Sequence, residues 1–259
     1  MTFLQRLFYS FLRRPLLYLL SGSIGILLST VPLALPGFTS ELPASFLLAG
    51  YSCQNCSRPE GPSTAGAIRG SCTAMNGVPL TPLAPEVHVG RTASSYPTFA
   101  WYVPDEEPFP VEFNLYTLEE NGEFQLIHSA ALTSNTRVMD YTLPASEPSL
   151  QAGQRYLWQV FLICDPTLLS STVDIEAFVD VVAPEEAGVD GMMGAVQLAE
   201  QGLWYDALAQ AIAEPSDTVW LSLLNDLAQE EIGEDESPAS SRYTQLQQIL
   251  QHEAYPLPE

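Results

Sequence analysis

Four cysteines, three separated histidines and 31 acids are the side chains through which this chain could do chemistry. Cys53-Gln54-Asn55-Cys56 has the spacing of redox-active dithiols. No strand pattern precedes it and no amphipathic helix follows, so it reads as a small local or reducible disulfide, with thiol exchange or metal capture as the alternatives. Cys72 and Cys164 complete the set, and four cysteines permit three connectivities. A Cys72 to Cys164 bridge would close a loop of about ninety residues, worth roughly 4 to 5 kcal/mol on a chain-entropy model. His88, His128 and His252 stand in no metal-ligand spacing. There is no Gly-x-Ser-x-Gly elbow and no phosphate-cradling glycine loop. The acids of Asp105-Glu106-Glu107, Glu119-Glu120 and Glu230-Glu231 fall at expected turns and helix ends, where solvated carboxylates belong. No catalytic residue, metal or cofactor is therefore assigned.

Composition sets the compartment expected for these groups. Arg6, Arg13 and Arg14 precede an apolar run over 16–38 broken by Pro32 and Pro36, the pattern of an export signal or an N-terminal membrane anchor over 1–38. Three of the nine basic residues lie there and none of the acids does, so the remainder is more acidic than the whole chain at −22. The positive end is expected to stay cytoplasmic while the acidic body crosses. Such a body, without a single lysine, excludes nucleic acid as partner and disfavours docking on anionic lipid. A membrane contact is expected only through an uncleaved N-terminal segment. Disulfide chemistry agrees with an extracytoplasmic location, periplasmic or secreted.

Residues 39–68 read as a flexible tether rich in Ser, Pro, Gly and Asn, unordered beyond its cysteines. A β domain is expected over 69–183. Phe99, Trp101 and Val103 share one strand face, and Val111, Phe113 and Leu115 begin the next strand. Asn121-Gly122 marks a hairpin before Phe124, Leu126 and Ile127, and further strands follow over 138–143, 155–164 and 173–182. Tyr156, Trp158 and Val160 alternate, but Leu157, Phe161 and Ile163 are apolar too, so this strand belongs in the middle of a sheet. Six or seven such strands specify an antiparallel β-sandwich of fibronectin type III or immunoglobulin-like type. Leu150-x-x-Gly153-x-x-Tyr156 resembles its tyrosine corner, and Trp101 and Trp158 read as packing residues.

From Pro184 the apolar period becomes helical, so 184–259 is expected to form an α-helical hairpin segment. Trp204, Ala207, Leu208, Ala211 and Ile212 make one stripe; Val219, Trp220, Leu223, Leu224 and Leu227 make the next. A weaker helix precedes them and another follows over 242–251. The simplest role for these helices is a cap on the sandwich.

Arg69-Gly70-Ser71-Cys72, Leu80-Thr81-Pro82-Leu83-Ala84-Pro85, Tyr96-Pro97-Thr98-Phe99 with Trp101-Tyr102-Val103-Pro104, Val111-Glu112-Phe113, the 150–158 motif, Cys164-Asp165-Pro166 and 202–208 run in a shared order. In this they resemble the cyanobacterial domain-of-unknown-function family 928. The resemblance implies an exported, cysteine-containing domain of undefined role and brings no catalytic residues. Where the family shows Gly-Trp-Ile, this chain has Ala177-Phe178-Val179, and its polar turn is replaced by Thr167-Leu168-Leu169. The expectation is a non-enzymatic interaction module for another envelope or secreted protein, contacting it through Trp204, Tyr205, Leu168 and Leu169. The alternative is an envelope carbohydrate-binding protein or hydrolase using acidic loop residues.

Overall fold

A computed structural model of the chain describes residues 50–53, 56–59, 78–103, 108–119, 122–135, 137–167, 171–185, 188, 193–214, 217–232 and 241–254. The expected leader over 1–38 lies outside these residues. Among the described residues, no helix is long and apolar enough to cross a membrane.

The chain is mainly β, with helices at its C-terminal end. Among the described residues, eight strands come first: β1 (Thr81–Pro82), β2 (Gly90–Thr92), β3 (Thr98–Val103), β4 (Pro110–Leu118), β5 (Phe124–Thr133), β6 (Arg137–Thr142), β7 (Arg155–Ile163) and β8 (Thr172–Val181). Four helices follow: α1 (Ala195–Glu200), α2 (Trp204–Ala213), α3 (Asp217–Glu230) and α4 (Ser241–Ala254). The strands form a three-stranded sheet, β1-β3-β6, and a five-stranded sheet, β2-β8-β7-β4-β5. One expectation is corrected: the sheets are not wholly antiparallel, because β2 lies parallel to β8. Three residues, Gly-Arg-Thr, carry no period by which that edge strand could be read.

The two sheets face each other across aromatic rings. Phe113 on β4 stacks on Trp158 of β7 and, across the interface, on Trp101 of β3, with centroids 6.4 and 6.3 Å away. All three rings are fully buried, so both tryptophans are interior packing residues. Gln151 N donates a 2.9 Å hydrogen bond to the Tyr156 hydroxyl, tying the turn before β7 to the strand's first buried side chain. At the β4 to β5 hairpin, Gly122 takes φ +80, a left-handed conformation that glycine adopts without steric cost.

The helices complete this core rather than hang from it. On α2, the Tyr205 hydroxyl accepts from Trp158 Nε1 at 2.9 Å and donates to Phe178 O at 2.8 Å, while its ring meets Phe99 edge-on. Trp204 Nε1 donates to Leu83 O at 2.8 Å. Apolar residues of both sheets and all four helices form one continuous cluster, and 43–259 is one compact unit.

The described tether residues, 50–53 and 56–59, are docked on the fold beyond their cysteines. Tyr51 is buried against Trp204, and its amide donates to Asp226 on α3. Ser57 O accepts from Val89 N at 2.8 Å, and Ser57 Oγ donates to Asp180, which Arg155 also clamps with two nitrogens.

Candidate functional site

Trp204 and Tyr205 do not form the expected interaction surface. Both are fully buried, with each side-chain polar atom in a hydrogen bond to the β region. Their amphipathic stripe faces inward, and the polar handles that suggest a wet interface are satisfied inside instead. Leu168 and Leu169, the other expected surface residues, lie outside the described residues.

The exposed apolar surface is elsewhere. Among the described residues, strand β5 ends the five-stranded sheet and pairs only with β4, so one row of its backbone donors and acceptors faces away from the sheet. Its sequence, Phe-Gln-Leu-Ile-His-Ser-Ala-Ala-Leu-Thr, contains no acid, no Lys or Arg and no proline. Edge strands are usually guarded by such residues. The one guard present is a bulge where the register skips Ile127 between the Leu115–His128 and Tyr116–Leu126 pairs. At and beyond that bulge, Ile127, Leu126 and Phe124 are 37%, 51% and 45% exposed. Phe124 lies 6.2 Å from Phe178, and Phe178 joins Leu157, Val89 and Tyr116 in a second apolar cluster.

A different constellation gathers where the tether crosses the helices. Cys53 and Cys56 are joined by a disulfide. Gly202, at φ +72 in the turn before α2, lies directly beneath it: a Cβ there would come 3.1 Å from Cys53 Sγ. A ring nitrogen of His88, from the loop between β1 and β2, lies within 4.8 Å of both sulfurs. The histidines appear unrelated to the cysteines in sequence, and it is the docking of Tyr51 and Ser57 that brings His88 to them. His88 is only 9% exposed and burial holds its pKa below the ordinary value, opposed by the Val89 carbonyl.

Acids surround the same region. Glu231 was expected to be a solvated helix-end residue but is 2% exposed, its Oε1 accepting from Glu86 N at 2.6 Å. Arg242 on α4 ion-pairs with Glu86 at 3.2 Å and donates to Pro82 O and Ala84 O. Burial pushes the Glu231 carboxyl up to about 7, against the opposing pull of Arg242. Burial likewise raises Asp226, and it raises Glu230 with help from Asp226.

Cys164 is disulfide-bonded at the end of β7, and among the described residues no cysteine is free. Cys72, its expected partner, lies outside the described residues. A cavity of about 370 Å³ opens between the loop over 92–98 and α2. Among its described lining residues Asp206 is the only carboxylate, and that carboxylate is tied to Ala93 N at 3.0 Å. Glycoside hydrolysis usually takes two facing carboxyl groups, and the described lining supplies one.

No curated protein matches the chain. Residues 64–237 match the family model described as Domain of Unknown Function DUF928, a span that takes in both sheets, α1, α2 and α3. The chain belongs to the DUF928 family.

Proposed function

We propose that the chain is an exported, non-enzymatic interaction module in which β5 receives an extended segment of a partner protein as an added strand. The observation that carries this reading is an uncharged ten-residue edge with three exposed large apolar side chains. Strand addition takes affinity from main-chain hydrogen bonds and specificity from alternate side-chain contacts. Leu126 and Phe124, continuous with Phe178 and Tyr116, supply the second. The occupant is a neutral or basic segment of an envelope or secreted protein: two copies of a chain at −22 repel one another. The disulfides at Cys53–Cys56 and at Cys164 support an extracytoplasmic location. The Gln151 to Tyr156 contact supports, as the finer fold type, a fibronectin type III or immunoglobulin-like sandwich.

The test is affinity capture with cross-linking from cells that make the protein, comparing the natural chain with Leu126→Lys. Position 126 is half exposed, so the variant is expected to keep its stability within about 0.5 kcal/mol. It is expected to lose a partner that cross-links through β5. Retention of every partner by Leu126→Lys, or cross-links joining β5 to β5 of a second copy, would overturn the reading.

A further inference from the structure

The tether disulfide lies beside an imidazole whose chemistry is incomplete. His88 Nδ1 sits 3.4 Å from Val89 O; a carbonyl only accepts, so Nδ1 carries the proton and the lone pair is on Nε2. Nε2 is buried and has no hydrogen-bond partner among the described residues. An enclosed nitrogen without a partner costs about 1 to 3 kcal/mol, and native folds seldom leave one unexplained. The Tyr51 hydroxyl is orphaned as well, with its ring 5.7 Å from that of His88.

We propose that Cys53, Cys56 and His88 form, once the disulfide is reduced, a binding site for one divalent cation of the zinc class. Three features of the site support this. Two cysteines separated by two residues have the spacing at which thiolates share a tetrahedral ion. The two sulfurs and a ring nitrogen already lie within 4.8 Å of one another. In tetrahedral sites with metal to sulfur bonds of about 2.3 Å, ligand atoms are separated by about 3.5 to 3.8 Å. The sulfurs must therefore part after reduction, and the imidazole need approach by no more than about 1 Å. Finally, a metal-binding histidine typically donates its other ring N–H to a carbonyl or carboxylate, the role Val89 O fills here.

The redox step balances with a dithiol as reductant. The S–S bond of Cys53–Cys56 breaks, two thiols form, and the dithiol closes to its own disulfide. Metal binding then releases the two thiol protons and leaves the fourth coordination position to water or to a group from a partner. The oxidised state cannot bind in this way because its sulfurs have no thiolate charge, so the site is a redox-gated one.

The experiment uses the full chain reduced with a phosphine, which becomes the phosphine oxide as water supplies the oxygen, and titrated with Co²⁺. Thiolate-to-cobalt charge-transfer absorption and tetrahedral d–d bands are expected, saturating at one ion per chain. Cys53→Ser and Cys56→Ser should each abolish the charge-transfer band or cut it by half with greatly weakened binding. Cys164→Ser should retain the full band, and His88→Ala should weaken binding by at least about tenfold. His88→Cys is the second variant: it should restore tight binding with a stronger charge-transfer band, showing that loss in His88→Ala is not misfolding. No thiolate band in the reduced natural chain, an unchanged band in Cys53→Ser, or unchanged affinity in His88→Ala would each overturn the proposal.

Discussion

At the scale of single residues, the least expected feature is a carboxyl group stored inside the fold. Glu230-Glu231 looks in sequence like any acidic helix end, and Glu230 behaves partly so. Glu231 turns back beneath the β1 to β2 loop because Glu86 N offers it a donor and Arg242 sits close by. Its carboxyl is nonetheless desolvated enough to be pushed up to about 7 from the ordinary 4.5. Between those two values the folded state holds a proton that the unfolded chain has released. The associated stability is thus fully present below pH 4.5 and is lost as pH rises to about 7. A shift of that size is worth on the order of 3 kcal/mol. Asp206, Asp226 and Glu230 are raised by burial too and contribute with the same sign. Thermal unfolding of Glu231→Gln, followed from pH 4.5 to 7.5, is expected to show a clearly flatter decline than the natural chain. Equal slopes would mean that Glu231 ionises in the fold as it does in water.

At the scale of elements, what could be read from sequence was whatever carries a period. β3 falls at the expected residues because Phe99, Trp101 and Val103 alternate between turn signals, and β4, the hairpin at Gly122, β6, β7 and β8 follow for the same reason. The stripes beginning at Trp204 and Val219 are α2 and α3. β2 was not legible: its three residues gain their strand conformation from pairing with β8, a long-range contact without a local signature. Nor was the docking of the tether, which rests on one buried tyrosine and one serine rather than on a pattern. The stripe on α2 did show which face is buried, but not that its two aromatic residues are wholly consumed by the core. From that burial, Trp204→Ala is expected to destabilise the protein by about 3 to 5 kcal/mol. Helix and sheet should melt together, because Trp204 and Tyr205 bond to Leu83 and to Trp158 and Phe178 of the β core. Far-ultraviolet and near-ultraviolet circular dichroism recorded on the variant would check this, and separate transitions would show that the helices are an independent body.

At the scale of the whole molecule, the candidate sites were less legible than the fold, since each is made by juxtaposition. His88 comes to Cys53 and Cys56 from a loop 32 residues further along the chain. The exposed character of Phe124, Leu126 and Ile127 depends on β5 being last in its sheet, which no residue of β5 announces. What composition did convey is the character of the surroundings: a body with a strong negative charge, no lysine and paired cysteines. On the proposed reading, the acidic surface around that strip would keep like molecules apart and leave the strip for an unlike partner. The most direct measurement is amide hydrogen exchange on the full chain, alone and bound to the partner captured through β5. The account predicts new protection at the outward-facing amides of β5, those not already bonded to β4, with β2 and the helices unchanged. Protection confined to the helices or the 92–98 loop, with β5 exchanging as in the free protein, would contradict it.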